Sequence, residues 1–244
     1  MAENAEKPVV VMKRFELKYI LAPDRLAYFK KRISDYMKVD KYGLTSIASL
    51  YYDTPDYRLI NYSIEKPEFK EKIRLRAYGL ATDDSPVFLE LKRKAYGIVY
   101  KRRVQSTIPL VKKFFDGEGD ICAGGQINHE ITYFRDYYKN LAPTCLIIYD
   151  RTAYYMPDGD LRLTIDENPR YRTDDLDLRV SMDGISLLPE GSAILEIKVQ
   201  DAIPLWLSAI LTEGGIKKDS FSKYGTAYQQ QMLNAYRKER INNV

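Results

Sequence analysis

One histidine, two cysteines and one tryptophan are all that 244 residues provide of those types. A single imidazole excludes a histidine-rich metal centre, and His129, at the start of an expected helix, reads as a neutral or surface side chain rather than a catalytic base. Cys122 and Cys145 stand in unlike contexts without metal-ligand spacing. That argues against a disulfide framework and for a reducing cytoplasm. No stretch approaches the roughly 18 consecutive apolar residues of a membrane span, and the polar start from Met1 to Lys7 is followed by no apolar signal segment. The expectation is a soluble, cytoplasmic protein. The Gly-Gly pairs at 124–125 and 214–215 lack the spacing of a phosphate loop or dinucleotide fingerprint, and no Ser/His/Asp set surrounds Ser222.

What the chain does have is charge in an ordered pattern. Hydrophobic residues make up 45% and charged residues 30%, which suits a globular protein rather than a disordered one. With 38 Lys+Arg against 34 Asp+Glu the net charge is only +4, so basic residues act by clustering, not through a global field. Five strand-like stretches alternate charge with apolar residues: Arg14-Phe-Glu16-Leu-Lys18, Arg74-Leu-Arg76, Glu90-Leu-Lys92, Arg162-Leu-Thr164-Ile-Asp166 and Glu196-Ile-Lys198. Residues two apart on a strand share a face, so each stretch gathers its charges on one side and its apolar residues on the other. One such strand is an ordinary solvated face. Five suggest a closed barrel with a polar interior and helices outside, a tunnel for a polyanion.

Lys70, Lys72, Arg74 and Arg76 share one face as a basic ladder with rungs roughly 6–7 Å apart. Guanidinium forks suit phosphate oxygens. The ladder carries no aromatic stacking residue, which argues against a single-stranded RNA surface. On the following hairpin Lys101 and Arg103 share a face that Arg102 opposes, and Lys101 is the residue expected to point inward. Carboxylates in a cationic cavity need partners. Glu16, Glu90, Asp166 and Glu196 therefore pair with neighbouring cations or, for one or two of them, hold Mg²⁺ or Mn²⁺. The tyrosines, many in adjacent pairs, are expected to pack barrel against helices with hydroxyls outward.

The order of elements reads as α+β. Strands are expected near 11–21, 46–53, 69–79, 87–95, 97–108, 144–156, 160–167 and 192–200. Helices are expected from Pro23-Asp24 to Met37, from Asp56, at 109–115, at 127–139, from Pro204 and at 225–239. Residues 168–181 are ambiguous between loop and a short strand. No linker divides the chain, so residues 11–240 form one domain behind a disordered leader of residues 1–10.

Arg-Phe-Glu16-Leu-Lys18-Tyr, Leu-Tyr-Tyr-Asp53-Thr, Lys72-Ile-Arg74-Leu-Arg76, Glu90-Leu-Lys92, Tyr-Asp-Arg151, Leu-Arg162-Leu-Thr-Ile-Asp166, Leu-Glu196-Ile-Lys198 and Phe-Ser-Lys223-Tyr occur in that order. Over residues 12–230 this series resembles the polyphosphate polymerase domain of the vacuolar transporter chaperone family, within the triphosphate tunnel metalloenzymes. The resemblance implies an eight-stranded antiparallel tunnel barrel that binds ATP and extends inorganic polyphosphate with Mn²⁺ or Mg²⁺. It implies phosphate contacts from Lys18, Arg74, Arg76, Lys92, Lys101, Arg151, Arg162, Lys198 and Lys223, with Arg74, Arg76, Lys92 and Arg162 on the triphosphate. Glu196 would be the metal ligand. Transfer of a γ-phosphate needs no protein nucleophile, so one histidine is no obstacle. A tri- or polyphosphatase, a nucleoside triphosphatase and a non-catalytic polyphosphate-binding module are the alternatives. No nucleic-acid partner is expected. The chain departs from the family in having Asp219-Ser220 where a lysine often precedes Phe-Ser-Lys; Lys217 and Lys218 are its neighbours. The resemblance leaves room for a separate membrane partner.

Overall fold

The computed structural model describes residues 15–242 apart from residue 123, with side chains to Tyr236. The expected leader, Arg14 and the start of the expected first strand lie outside these residues. The strands are β1 (Phe15–Leu21), β2 (Lys38–Asp53), β3 (Phe69–Tyr78), β4 (Val87–Ala95), β5 (Ile98–Ser106), β6 (Ala142–Tyr155), β7 (Arg162–Arg172), β8 (Ile185–Ser186), β9 (Ala193–Val199) and β10 (Lys218–Asp219). The helices are α1 (Pro23–Ile33), α2 (Arg58–Ile64), α3 (Ile108–Phe115), α4 (Gly125–Tyr138), α5 (Leu205–Glu213) and α6 (Lys223–Asn242).

All pairings are antiparallel, in the order β10-β1-β9-β7-β6-β2-β3-β4-β5, with β8 on the flank of β7. The expected closed barrel of eight strands is not what forms among the described residues. Eight strands are long, two are short additions, and β5 ends the order without a second neighbour. The short β10 takes up the free edge of β1, pairing Lys18 with Asp219 and Tyr19 with Lys218. The sheet is nevertheless curled. Lys92 on β4 acts electrostatically on Glu16 of β1, and Lys18 of β1 acts on Lys72 of β3, so the two ends of the strand order face each other across a concavity.

The convex face carries the apolar half of the alternation. Ile73, Leu75, Leu89 and Leu91 are buried under Val111 and Phe114 of α3 and Ile131 and Phe134 of α4. Leu163, Ile165, Leu195 and Ile197 are buried under Phe29 and Ile33 of α1 and Leu207 and Ile210 of α5. Burial of each such side chain contributes about 1.5–3 kcal/mol. The helices thus exist to cover the sheet, as their apolar stripes required.

The concave face is not polar throughout. Ile47, Tyr51, Cys145, Ile147 and Tyr149 form a third apolar cluster there with Ile60 of α2 and Tyr224 and Ala227 of α6. β2 and β7 are longer than expected. β2 starts at Lys38 and follows β6 through a register shift between Val39 and Leu44, while β7 continues to Arg172 past Asn168, whose φ is 48°. Bulges break the period-2 pattern, so both extensions escape a reading by alternation.

Asp53 ties the cap of α2 to the start of α6. Its fully buried carboxylate accepts the N–H groups of Thr54 (2.9 Å), Leu59 (2.8 Å) and Ile60 (3.0 Å) and the hydroxyl of Tyr224 (2.9 Å). Two of these donors are helix N–H groups without an intrahelical partner. Asp53→Ala is therefore expected to lower stability by about 3 kcal/mol in urea denaturation. A loss below about 0.5 kcal/mol, the range of neutral surface changes, would contradict this role.

Candidate functional site

Cross-strand register places eight of the nine expected phosphate-contacting cations on one face. Lys72 pairs with Lys92 and Lys92 with Lys101; Arg74 pairs with Glu90; Arg151 with Asp166; Arg162 with Lys198; Lys18 with Glu196. Lys223 enters the same space from the first residue of α6. These cations fall into two carboxylate-centred groups and an unpaired remainder.

The first group surrounds Glu90, which is 1% exposed. Arg74 bonds it through Nε (2.8 Å), Lys101 Nζ lies 2.7 Å from Oε1, Arg103 Nε 3.6 Å from Oε1 and Arg76 Nη1 3.7 Å from Oε2. Burial alone would raise the Glu90 carboxyl, but Arg74, Arg76 and Lys101 outweigh it and bring it down to about 2. Arg74 also donates to the Tyr51 hydroxyl (2.9 Å), and Arg76 to Ser49 Oγ (3.2 Å) and the Tyr149 hydroxyl (3.2 Å).

The second group surrounds Asp166 and Glu196. Arg151 grips Asp166 through Nε (2.5 Å) and Nη2 (2.7 Å), and Lys223 Nζ bonds the same carboxylate. Glu196 has Lys18 at 3.3 Å, Arg151 at 3.5 Å, Lys198 at 3.7 Å and Lys223 at 3.9 Å. Burial opposes ionisation of Glu196, yet Lys223, Lys18, Arg151 and Lys198 hold it well below the usual carboxylate range. Arg151 and Lys223 also lie over the Tyr149 ring, 5.1 and 4.5 Å from its centroid.

Lys92 and Arg162 have no ion pair among the described residues; Arg162 lies 5.3 Å over the Tyr155 ring. Arg102 faces outward, as parity required, and bonds Glu130 of α4. His129 is exposed on the outer wall beside Phe69 and Tyr133, away from the concave face. The sequence reading missed Tyr51 and Tyr149, whose hydroxyls point in at guanidiniums rather than outward. The signal was available: Tyr149 is two residues before Arg151 on one strand, and adjacent Tyr51 and Tyr52 must face opposite ways. Tyr52 indeed stacks on Phe115 of α3, ring centroids 4.1 Å apart.

The model of the VTC domain matches residues 13–232. The chain belongs to the VTC domain family. A curated relative, vacuolar transporter chaperone complex subunit 4 of Schizosaccharomyces pombe, is 28% identical over 145 residues, half of this chain. That match spans 20% of the relative's length. Solved structures of similar fold include an adenylate cyclase candidate from Bacillus halodurans (TM-score 0.54, 14% identity, 86% of this chain and 94% of that one). Another is an adenylyl cyclase candidate from Hippeastrum with a dominant triphosphatase activity (TM-score 0.54, 16% identity, 90% and 96%). The fold is thus shared with these two structures.

In this VTC domain no cluster of three or more metal-ligating side chains exists among the described residues. Glu196 offers a lone hard-oxygen donor, with Asp166 and Glu16 close enough to act on it electrostatically. That donor set fits an ion whose other ligands arrive with phosphate. No helix among the described residues is long and apolar enough to cross a membrane.

Removing the Glu90 charge leaves four cations uncompensated. Glu90→Gln is expected to cost about 3 kcal/mol of stability at neutral pH. Because the folded carboxyl sits at about 2 against 4.5, the stability it contributes is present above 4.5 and lost as pH falls toward 2. The gap between the two proteins in urea melts should therefore narrow across that window. A gap unchanged by pH would contradict the pairing.

Proposed function

We propose that this VTC domain is an ATP-dependent inorganic polyphosphate polymerase working on its concave face. The observation that carries the reading is the array of cations held in place by Glu90, Asp166 and Glu196, in a concavity with no histidine among the described residues. Such a face suits a reaction that needs charge stabilisation and alignment rather than covalent catalysis. An oxygen of the chain's terminal phosphate forms a bond to the γ-phosphorus of ATP, the bond from that phosphorus to the bridging oxygen breaks, and ADP leaves with the electron pair. Arg74 and Arg76 orient and neutralise phosphate oxygens, and their own geometry is fixed by Glu90, Tyr51 and Tyr149. Lys18, Lys198, Lys223 and Arg151 provide the second cationic wall, with Lys101, Lys92 and Arg162 completing the lining. Glu196 would hold Mn²⁺ or Mg²⁺, which would supply charge neutralisation on phosphate oxygens. Relatedness to a vacuolar transporter chaperone subunit supports this reading.

A second reading is hydrolysis of triphosphate on the same face, with water in place of the phosphate acceptor. It is favoured by the triphosphatase activity of the structurally similar Hippeastrum protein. Purified protein incubated with ATP and Mn²⁺ or Mg²⁺ is expected to yield polyphosphate ladders on a gel, and Arg76→Ala to lower the rate by about 100-fold or more. Orthophosphate release without chain growth would choose hydrolysis. Neither product, with Glu196→Gln binding as well as wild type, would make the domain a binding module.

A further inference from the structure

The carboxylates of the concave face are unevenly shared. Glu90 engages four cations and Glu196 another four, whereas the lysines at the β3–β4 end have none. Lys72 stands directly opposite Lys92, and Lys70 directly opposite Lys94 on the next rung of that face. Like charges directly opposite on antiparallel strands destabilise the pair. Among the described residues none of the four has a carboxylate within ion-pair distance; Lys70 Nζ donates to the Ser63 carbonyl (3.5 Å) and Lys72 Nζ to Ser222 Oγ (3.4 Å). Lys72 is the most enclosed by its neighbours. Tyr51 of β2, Lys70 and Arg74 of its own strand, Lys92 of β4, Lys18 of β1 and the Tyr224 ring at the start of α6, 5.8 Å from Nζ, all surround it. Glu16 of β1 engages Lys18 at 3.3 Å and feels the charge of Lys92 across the concavity. Burial lowers the Lys72 ammonium, Lys70, Lys92 and Lys18 lower it further, and Tyr51 opposes them, leaving it at about 8.

Two rungs of facing lysines have no carboxylate within ion-pair distance and only the electrostatic pull of Glu16 on Lys92, so the cluster lacks an anion that the fold does not provide. We propose that a phosphate seated among Lys70, Lys72, Lys92 and Lys94 drives a proton from solvent onto the Lys72 amine. This deepens the polyphosphate reading and rests on it. The proton balance is simple: the amine takes one proton from buffer, no covalent bond to phosphorus forms, and release of the chain returns the proton. A lysine that becomes fully charged only when its anion arrives lets the empty cluster shed part of its self-repulsion.

The test is calorimetric titration of inorganic tripolyphosphate and of a longer linear polyphosphate into the full chain, in buffers of different ionisation enthalpy. Lys72→Arg is the control, since a guanidinium stays protonated and leaves only the ligand's own ionisation. At pH 8 the wild type is expected to take up about half a proton more per bound chain than Lys72→Arg, with the difference vanishing near pH 6. Lys72→Met is expected to weaken binding by about 10-fold or more, from the loss of one charge-assisted hydrogen bond. Its melting temperature should not fall, because a repelled charge has been removed. Equal proton uptake by wild type and Lys72→Arg, both binding normally, would overturn the inference and leave the polyphosphate reading standing. Failure of the wild type to bind either ligand at any pH would overturn the reading itself, and the inference with it.

Discussion

A buried carboxylate beneath four cations is the interaction on which the rest of this domain depends. Arg74 and Arg76 of β3 and Lys101 and Arg103 of β5 converge on Glu90 of β4, which lies between those two strands. Without that negative charge the strands would bring like charges together on one face and the sheet would have a reason to flatten or part. With it, the cations can be packed closely in a concavity and still offer their outer N–H groups to a ligand. Asp166 and Glu196 repeat the arrangement on β7 and β9. Each carboxylate thus holds cations where water would otherwise disperse them.

The C-terminal helix completes the second group, and its placement is not local. Lys223 reaches Asp166 only because the next residue, Tyr224, is fixed by Asp53 and stacked on Tyr51, ring centroids 4.4 Å apart. Tyr51 in turn accepts from Arg74 of the first group. A single chain of contacts therefore joins the cap of α2, the start of α6 and both cationic groups. Pre-organisation of this kind is what an electrostatic catalyst or a polyanion receptor requires.

Much of this was legible in the sequence because a strand has a period of two. Parity alone separated Arg102 from Lys101 and put Arg74, Glu90 and Lys92 on a common face. The apolar halves of the same stretches announced the helices that cover them. What parity could not give was closure. Whether strand ends meet depends on curl and on short partners such as β10, whose Lys218-Asp219 carries no strand signal in two residues. The bulges in β2 and β7 hide their true lengths, and composition alone makes Tyr51 and Tyr149 packing residues although their parity matches the cations. The carboxylate-free state of Lys70 and Lys72 was invisible for another reason. It follows from where Glu90 and Glu196 direct their oxygens, and sequence does not record that.

The central claim is that this cationic concavity is where phosphate chains lie. The most direct measurement is an experimental structure with a non-hydrolysable ATP analogue and Mn²⁺ bound. The account predicts phosphate oxygens within hydrogen-bond distance of Arg74 and Arg76, with the metal on Glu196. Phosphates found on the convex wall beside His129 and Tyr133, with the concave face empty, would contradict it.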